Sequence, residues 1–68
     1  MTDLDRYEEE LDAELRVMTS KQLRQYARDN ALVGSLGGAT TKRELRREIV
    51  GQMRHRAYLR NLAEEGRL

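Results

Sequence analysis

Lys42 and Arg43 directly follow Thr41 at the start of an amphipathic segment, and they are the residues whose placement says most about chemistry. Thr41 and Glu44 have the spacing of a capping box, which marks a helix start. A helix N-terminus carries about half a positive charge, so two cations in its first turn are unfavourable by roughly 0.3 to 1 kcal/mol each. A phosphate reverses that sign: the free N–H groups, the dipole and both side chains then point at one anion. Lys21, close behind Thr19, repeats the arrangement more weakly, and at about 100° per residue Arg24 and Arg28 share its side of the helix. Arg43, Arg47 and Arg54 fall within about 40° of one another, outside the apolar arc of their own helix. The chemistry implied is the neutralisation of phosphates by two basic stripes.

Bond-making chemistry has no comparable support. His55 lies between Arg54 and Arg56, the chain has no cysteine and no second histidine, and a zinc set is therefore excluded. Ser20 and Ser35 have no evident base, and the carboxylates near the N-terminus are too repetitive to single out an acid/base pair. The segment GSLGGATTK lacks the G-x-x-x-x-G-K-[ST] order of a phosphate-binding P-loop. A non-enzymatic protein with no metal, no cofactor and no small-molecule substrate is expected. No apolar run reaches the roughly 18 to 20 residues that span a bilayer, and the N-terminus is acidic, so a cytoplasmic location without membrane contact is expected.

The formal net charge of +1 conceals a polarity along the chain. Residues 1–15 hold seven acids and one base; residues 16–60 hold eleven bases and three acids, a net of +8. Such asymmetry points to a polyanionic partner. With 38% hydrophobic and 37% charged residues, no Phe and no Trp, a core must come from Leu, Ile, Val, Met, Ala and Tyr. A chain of 68 residues holds one small core and a single domain over 1–68.

Proline is absent, and three of the five glycines fall at Gly34, Gly37 and Gly38, so two long stretches flank one loop and the fold class is all-α with three helices. Leu4, Tyr7, Leu11, Leu15 and Met18 recur at steps of three and four, which predicts an acidic amphipathic helix from about Asp3 to Val17 within segment 1–17. Thr19 with Gln22 is a second capping box; the helix it opens carries Leu23, Tyr26, Ala27 and Asn30 on one face and ends near Ala31. Residues 32–40 read as an extended, partly buried loop holding Leu32, Val33 and Leu36. The third helix has Leu45, Ile49, Val50 and Met53 as its apolar face. Gly51 within it costs about 1 kcal/mol relative to Ala and marks either a close backbone approach or the change to a basic helical tail, 54–68. Tyr58, Leu59 and Leu62 drift off the earlier face, so the tail is expected to pack differently or fray.

The stretch Met18–Met53 resembles the SAP and helix-extended-loop-helix modules and is similar to the N-terminal domain of the transcription terminator Rho. The matching residues are Thr19, Ser20, Leu23, Tyr26, Ala27 and Leu32, then Gly38, Lys42, Glu44, Leu45 and Ile49. The resemblance implies a helix, extended loop, helix core to which the acidic helix is added. It also implies that Gly38, Thr41, Lys42 and Arg43 approach nucleic acid. Asn30 and Ala31 stand where a glycine often precedes Leu32, Arg46 occupies an often apolar position, and Glu48 stands where SAP modules often place Arg. The LEM fold, which binds proteins, is similar at this level.

The expected function is binding to the phosphate backbone of DNA, ahead of RNA, through Lys21, Arg24, Arg28, Gly38, Thr41, Lys42, Arg43, Arg47 and Arg54. The alternative is a small phage or mobile-element adaptor or inhibitor that binds a host protein through the first helix or the tail. For the first helix the simplest expectation is that its apolar stripe completes the core while its acids face away. It could instead pair with a partner or a second copy through Leu4, Tyr7, Leu11 and Leu15, or its acids could cover the basic stripe until nucleic acid displaces them.

Overall fold

The structure, a computed structural model, describes residues 2–32, 36 and 38–66. Three helices follow in order: α1, Asp3–Arg16; α2, Ser20–Asp29; and α3, Lys42–Glu64. The all-α, three-helix fold class is as the periodicity indicates. Val33, Gly34, Ser35 and Gly37 of the expected loop, and Arg67 and Leu68 of the expected tail, lie outside the described residues.

Each helix begins on a threonine. The Thr2 hydroxyl accepts from the Asp5 N–H at 3.2 Å and the Asp5 carboxylate accepts from the Thr2 N–H at 3.3 Å, a complete capping box. Thr19 and Gln22 make the same reciprocal pair at 3.1 and 2.8 Å, as their spacing requires. The α3 cap is half a box. Thr41 Oγ1 accepts from the Glu44 N–H at 3.1 Å, but the Glu44 carboxylate takes the Thr41 hydroxyl proton, at 2.9 Å, in place of the backbone N–H.

The core is Leu11 and Leu15 from α1, Leu23 and Ala27 from α2, Leu32 after it, and Leu45, Ile49 and Val50 from α3. Tyr7, Met18, Tyr26, Leu36, Ala39 and Met53 are partly buried against it. Both α1 and α2 pack on α3, which is their common support. Of the apolar stripe Leu4, Tyr7, Leu11 and Leu15, Leu15 is fully buried within the chain and Leu11 nearly so. Leu4 is half-buried at its edge.

The end of α2 shows why the chain turns there. The Leu32 N–H reaches the Ala27 carbonyl at 2.6 Å and the Ala31 N–H reaches the Arg28 carbonyl at 3.0 Å, the two bonds of a Schellman motif, with Leu32 buried beneath it. This motif needs a left-handed residue, and Ala31 supplies it at φ 59°. Arg56, in the second half of α3, donates from Nη1 to the Asn30 carbonyl at 2.6 Å, placing a cation at the negative end of α2.

The α3 helix runs unbroken through Gly51, so the segment after Arg54 is a direct continuation rather than a frayed tail. Nothing lies within 4 Å of where a Gly51 Cβ would sit, which excludes a close backbone approach. At 1.5 Å per residue, the 23 residues of α3 span about 35 Å, close to the 37 Å longest dimension of the molecule. Tyr58 and Leu59 near its end are 46% and 40% exposed, which agrees with their departure from the core face.

Two backbone positions thus hold the less suitable small residue. Ala31→Gly relieves a left-handed conformation and Gly51→Ala strengthens an exposed helix interior, so each is expected to raise stability by about 1 kcal/mol. Thermal or urea unfolding measures this; loss of stability in both variants would contradict the geometry.

Candidate nucleic-acid interface

The structure distinguishes cations that the sequence does not separate. Carboxylates of α1 hold arginines of α3. Arg46 Nε donates to Asp12 Oδ1 at 3.0 Å. Arg54 Nη2 donates to Asp5 Oδ1 at 3.2 Å, and its Nε lies 3.0 Å from Glu8 Oε2 without the alignment of a hydrogen bond. Asp12 also accepts from Arg16 Nη2 at 2.7 Å, one turn along α1. As the α1 partner moves from Asp12 back to Asp5, the α3 partner moves forward from Arg46 to Arg54, so the two helices run antiparallel.

This overturns the simplest expectation for α1. Its apolar stripe does complete the core, but Asp5, Glu8 and Asp12 turn towards α3 rather than away from it. The periodicity explains why: these three residues lie on one flank of the Leu11 and Leu15 face, so burying that face brings them to the edge of α3. Arg54, expected in an open basic stripe with Arg43 and Arg47, is instead engaged by two carboxylates.

Arg6, Arg56 and Arg60 have no ion-pair partner among the described residues, and neither have six of the cations of the expected site: Lys21, Arg24 and Arg28 on α2, and Lys42, Arg43 and Arg47 on α3. All six are exposed. On α2 the three cations lie away from buried Leu23 and Ala27, because steps of three, four and seven keep them on one side. Arg47 lines a groove with Leu36, Gly38, Ala39, Glu44 and Glu48, and a second one with Glu8, Asp12, Val50 and Gly51. It therefore sits where the acidic flank of α1 and the acids of early α3 meet. Gly38 is exposed in a turn shortly before the cap.

At the start of α3 the local geometry favours an anion. Lys42 and Arg43 occupy the first two helical positions, whose N–H groups have no acceptor within a helix. Thr41 covers only the Glu44 N–H. Glu44 contributes the single acid of this turn, and its carboxylate is tied to the Thr41 hydroxyl. By contrast, α1 begins with Asp3 and Asp5, which complement its dipole.

Among the described residues there is no group of three His, Cys, Asp or Glu placed to hold a metal ion, and no helix is long and apolar enough to cross a membrane. His55 instead lines a groove of about 520 Å³ with Thr2, Leu4, Gly51, Arg54 and Tyr58. The Tyr26 hydroxyl is pushed above the usual tyrosine range by burial first, then by Tyr7 and Glu14 beside it.

The Asp5 carboxyl is held below the usual range, mainly by the Thr2 hydrogen bonds and also by Arg54. Asp12 is held down most by its hydrogen bond from Arg16, with Arg46 adding to it against the opposing effect of burial. A carboxyl that is more acidic folded than unfolded adds stability above the unfolded value, and that stability is lost as pH falls through the folded value. The melting temperature should therefore be flat above about pH 5 and fall below about pH 4. Asp12→Asn should lower it at neutral pH and shallow the acid decline; an unchanged acid decline in Asp5→Asn/Asp12→Asn would contradict this assignment. Comparison with protein-family models, curated proteins and solved structures gave no match for this chain.

Proposed function

We propose that the chain binds the phosphate backbone of nucleic acid, DNA ahead of RNA, through Lys42 and Arg43 at the start of α3 and Lys21, Arg24 and Arg28 on α2. The observation that carries this reading is the pair of unpartnered cations on the first turn of α3, where the helix dipole opposes them and an anion would reverse the balance. Elsewhere on the same helix, Arg46 and Arg54 are neutralised within the chain, whereas Arg47 and Arg60 stay exposed. The resemblance of Met18–Met53 to SAP modules supports the same end of the molecule, with Gly38 and Thr41 close to the phosphate. Arg47 is a secondary contact, given its acidic neighbours, and Arg54 is not part of the primary surface.

Little base readout is expected. Tyr7 and Tyr26 are partly buried against the core, and Tyr58, the remaining aromatic, lies far along α3 from Lys42. Stacking platforms for bases are therefore absent from the proposed surface, among the described residues. Binding would be largely independent of sequence and driven by counterion release.

A second reading has one observation in its favour. Tyr58 and Leu59 are exposed, and Tyr58 borders the groove that includes Leu4 and His55, which suits an adaptor that binds a protein through the end of α3.

Five cations on duplex DNA give a slope of about −4 to −5 for log K against log salt, a loss of several hundred-fold between about 50 and 200 mM. Lys42→Glu/Arg43→Glu should bring the slope to about −2 or −3 and leave little binding at about 50 mM. Fluorescence anisotropy on labelled duplex and single strands measures both. No binding by the wild type at about 50 mM would sink the nucleic-acid reading and favour the adaptor.

A further inference from the structure

We infer that the acidic flank of α1 is an electrostatic screen that keeps Arg46 and Arg54 out of the polyanion contact, confining the bound phosphates to α2 and the start of α3. This rests on the nucleic-acid reading above and specifies the limits of its surface. Along α1, Asp5, Glu8 and Asp12 recur at steps of three and four and turn one side of the helix towards α3. Each of them is within 3.2 Å of an arginine there. Glu9 continues the acidic flank, lining a surface depression with those three.

The pairs are partly exposed to solvent rather than buried. Arg54, Asp5 and Glu8 retain 44%, 47% and 44% of their side-chain exposure, whereas Arg46 retains 21%. Exposed pairs of this kind contribute little to stability, and a phosphate can replace a carboxylate as the partner of a guanidinium. What prevents that exchange is the fixed row of carboxylates, because a phosphate brought to Arg46 or Arg54 must approach Asp12, or Asp5 and Glu8, at close range. The row is fixed because Leu11 and Leu15 anchor α1 in the core. Charge on α1 thus subtracts two arginines from a surface that would otherwise extend along α3 from Arg43.

The test compares the salt dependence of duplex DNA binding for the full-length chain and three variants. In Asp5→Asn/Glu8→Gln/Asp12→Asn the screen is removed while the Thr2 capping box keeps an acceptor at position 5. In Asp3→Asn/Glu10→Gln/Glu14→Gln the same number of charges is removed from acids with no ion pair to α3. Asp12→Asn alone frees Arg46 with the least disturbance of α1, and circular dichroism checks that each variant keeps its helices. The first variant is expected to bind at least tenfold more tightly at about 50 mM salt, with a slope steeper by up to about 2, and Asp12→Asn with a slope steeper by up to about 1. Adding Arg46→Gln/Arg54→Gln to the first variant should return the wild-type slope. Equal slopes in both triple variants, with the wild type binding DNA, would overturn the screen and leave the nucleic-acid reading intact. Binding by the first variant alone, or silence of all of them, would overturn both, because the native chain would then have no bound phosphates to confine.

Discussion

The docking of α1 along α3 is the constraint on which the rest of this small molecule depends. None of the three helices could hold its form in isolation to any great extent, least of all the ten residues of α2, because a short helix does not recover the entropy of its own nucleation. Their stability comes from one shared core of leucine, isoleucine, valine and alanine side chains, to which α1 contributes Leu11 and Leu15. No aromatic residue is fully buried among the described residues, so these aliphatic contacts have little redundancy. Loss of α1 would expose Leu45, Ile49 and Val50 on one side and leave α2 with α3 alone.

That docking also determines the distribution of charge. A helix cannot bury its apolar stripe without bringing both flanks of the stripe to its neighbour. On α1 one flank carries Asp5, Glu8 and Asp12, and they meet Arg46 and Arg54; the other carries Glu14, whose charge is felt by Tyr26 of α2. As a result Arg46 and Arg54 of α3 are neutralised within the chain, while Lys42 and Arg43 at its start and the cations of α2 stay exposed. The exposure of Lys42 and Arg43 and the pairing of Arg46 and Arg54 thus follow from how α1 packs. Arg56 provides a parallel case, since its charge serves the C-terminus of α2 through the Asn30 carbonyl.

Much of the fold was legible in the residues. The threonines at 19 and 41 gave the starts of α2 and α3, and the steps of three and four in α1 gave its buried face. Thr2 was overlooked as a cap because Asp5, rather than Glu or Gln, closes its box. Ala31 could not announce a Schellman turn, since alanine is not the residue that a left-handed position favours. The candidate site was read less completely. Periodicity identifies which cations share a helix face, but their pairing depends on which flank of α1 meets α3, and that is a property of three-dimensional packing. Arg54 therefore reads from the sequence as part of a basic stripe. Lys42 and Arg43 were legible because their environment, a helix N-terminus, is itself local.

Backbone amide shifts report directly on whether an anion is accommodated at the start of α3. In a titration of the intact, isotope-labelled chain with a short DNA duplex at low salt, the largest amide shifts are expected at Lys42, Arg43 and Glu44, with a second set from Lys21 to Arg28. Amides of α3 beyond Arg54 should move little. Largest shifts at Leu4, Tyr58 and Leu59, with those at Lys42 and Arg43 unmoved, would contradict an anion site at the start of α3.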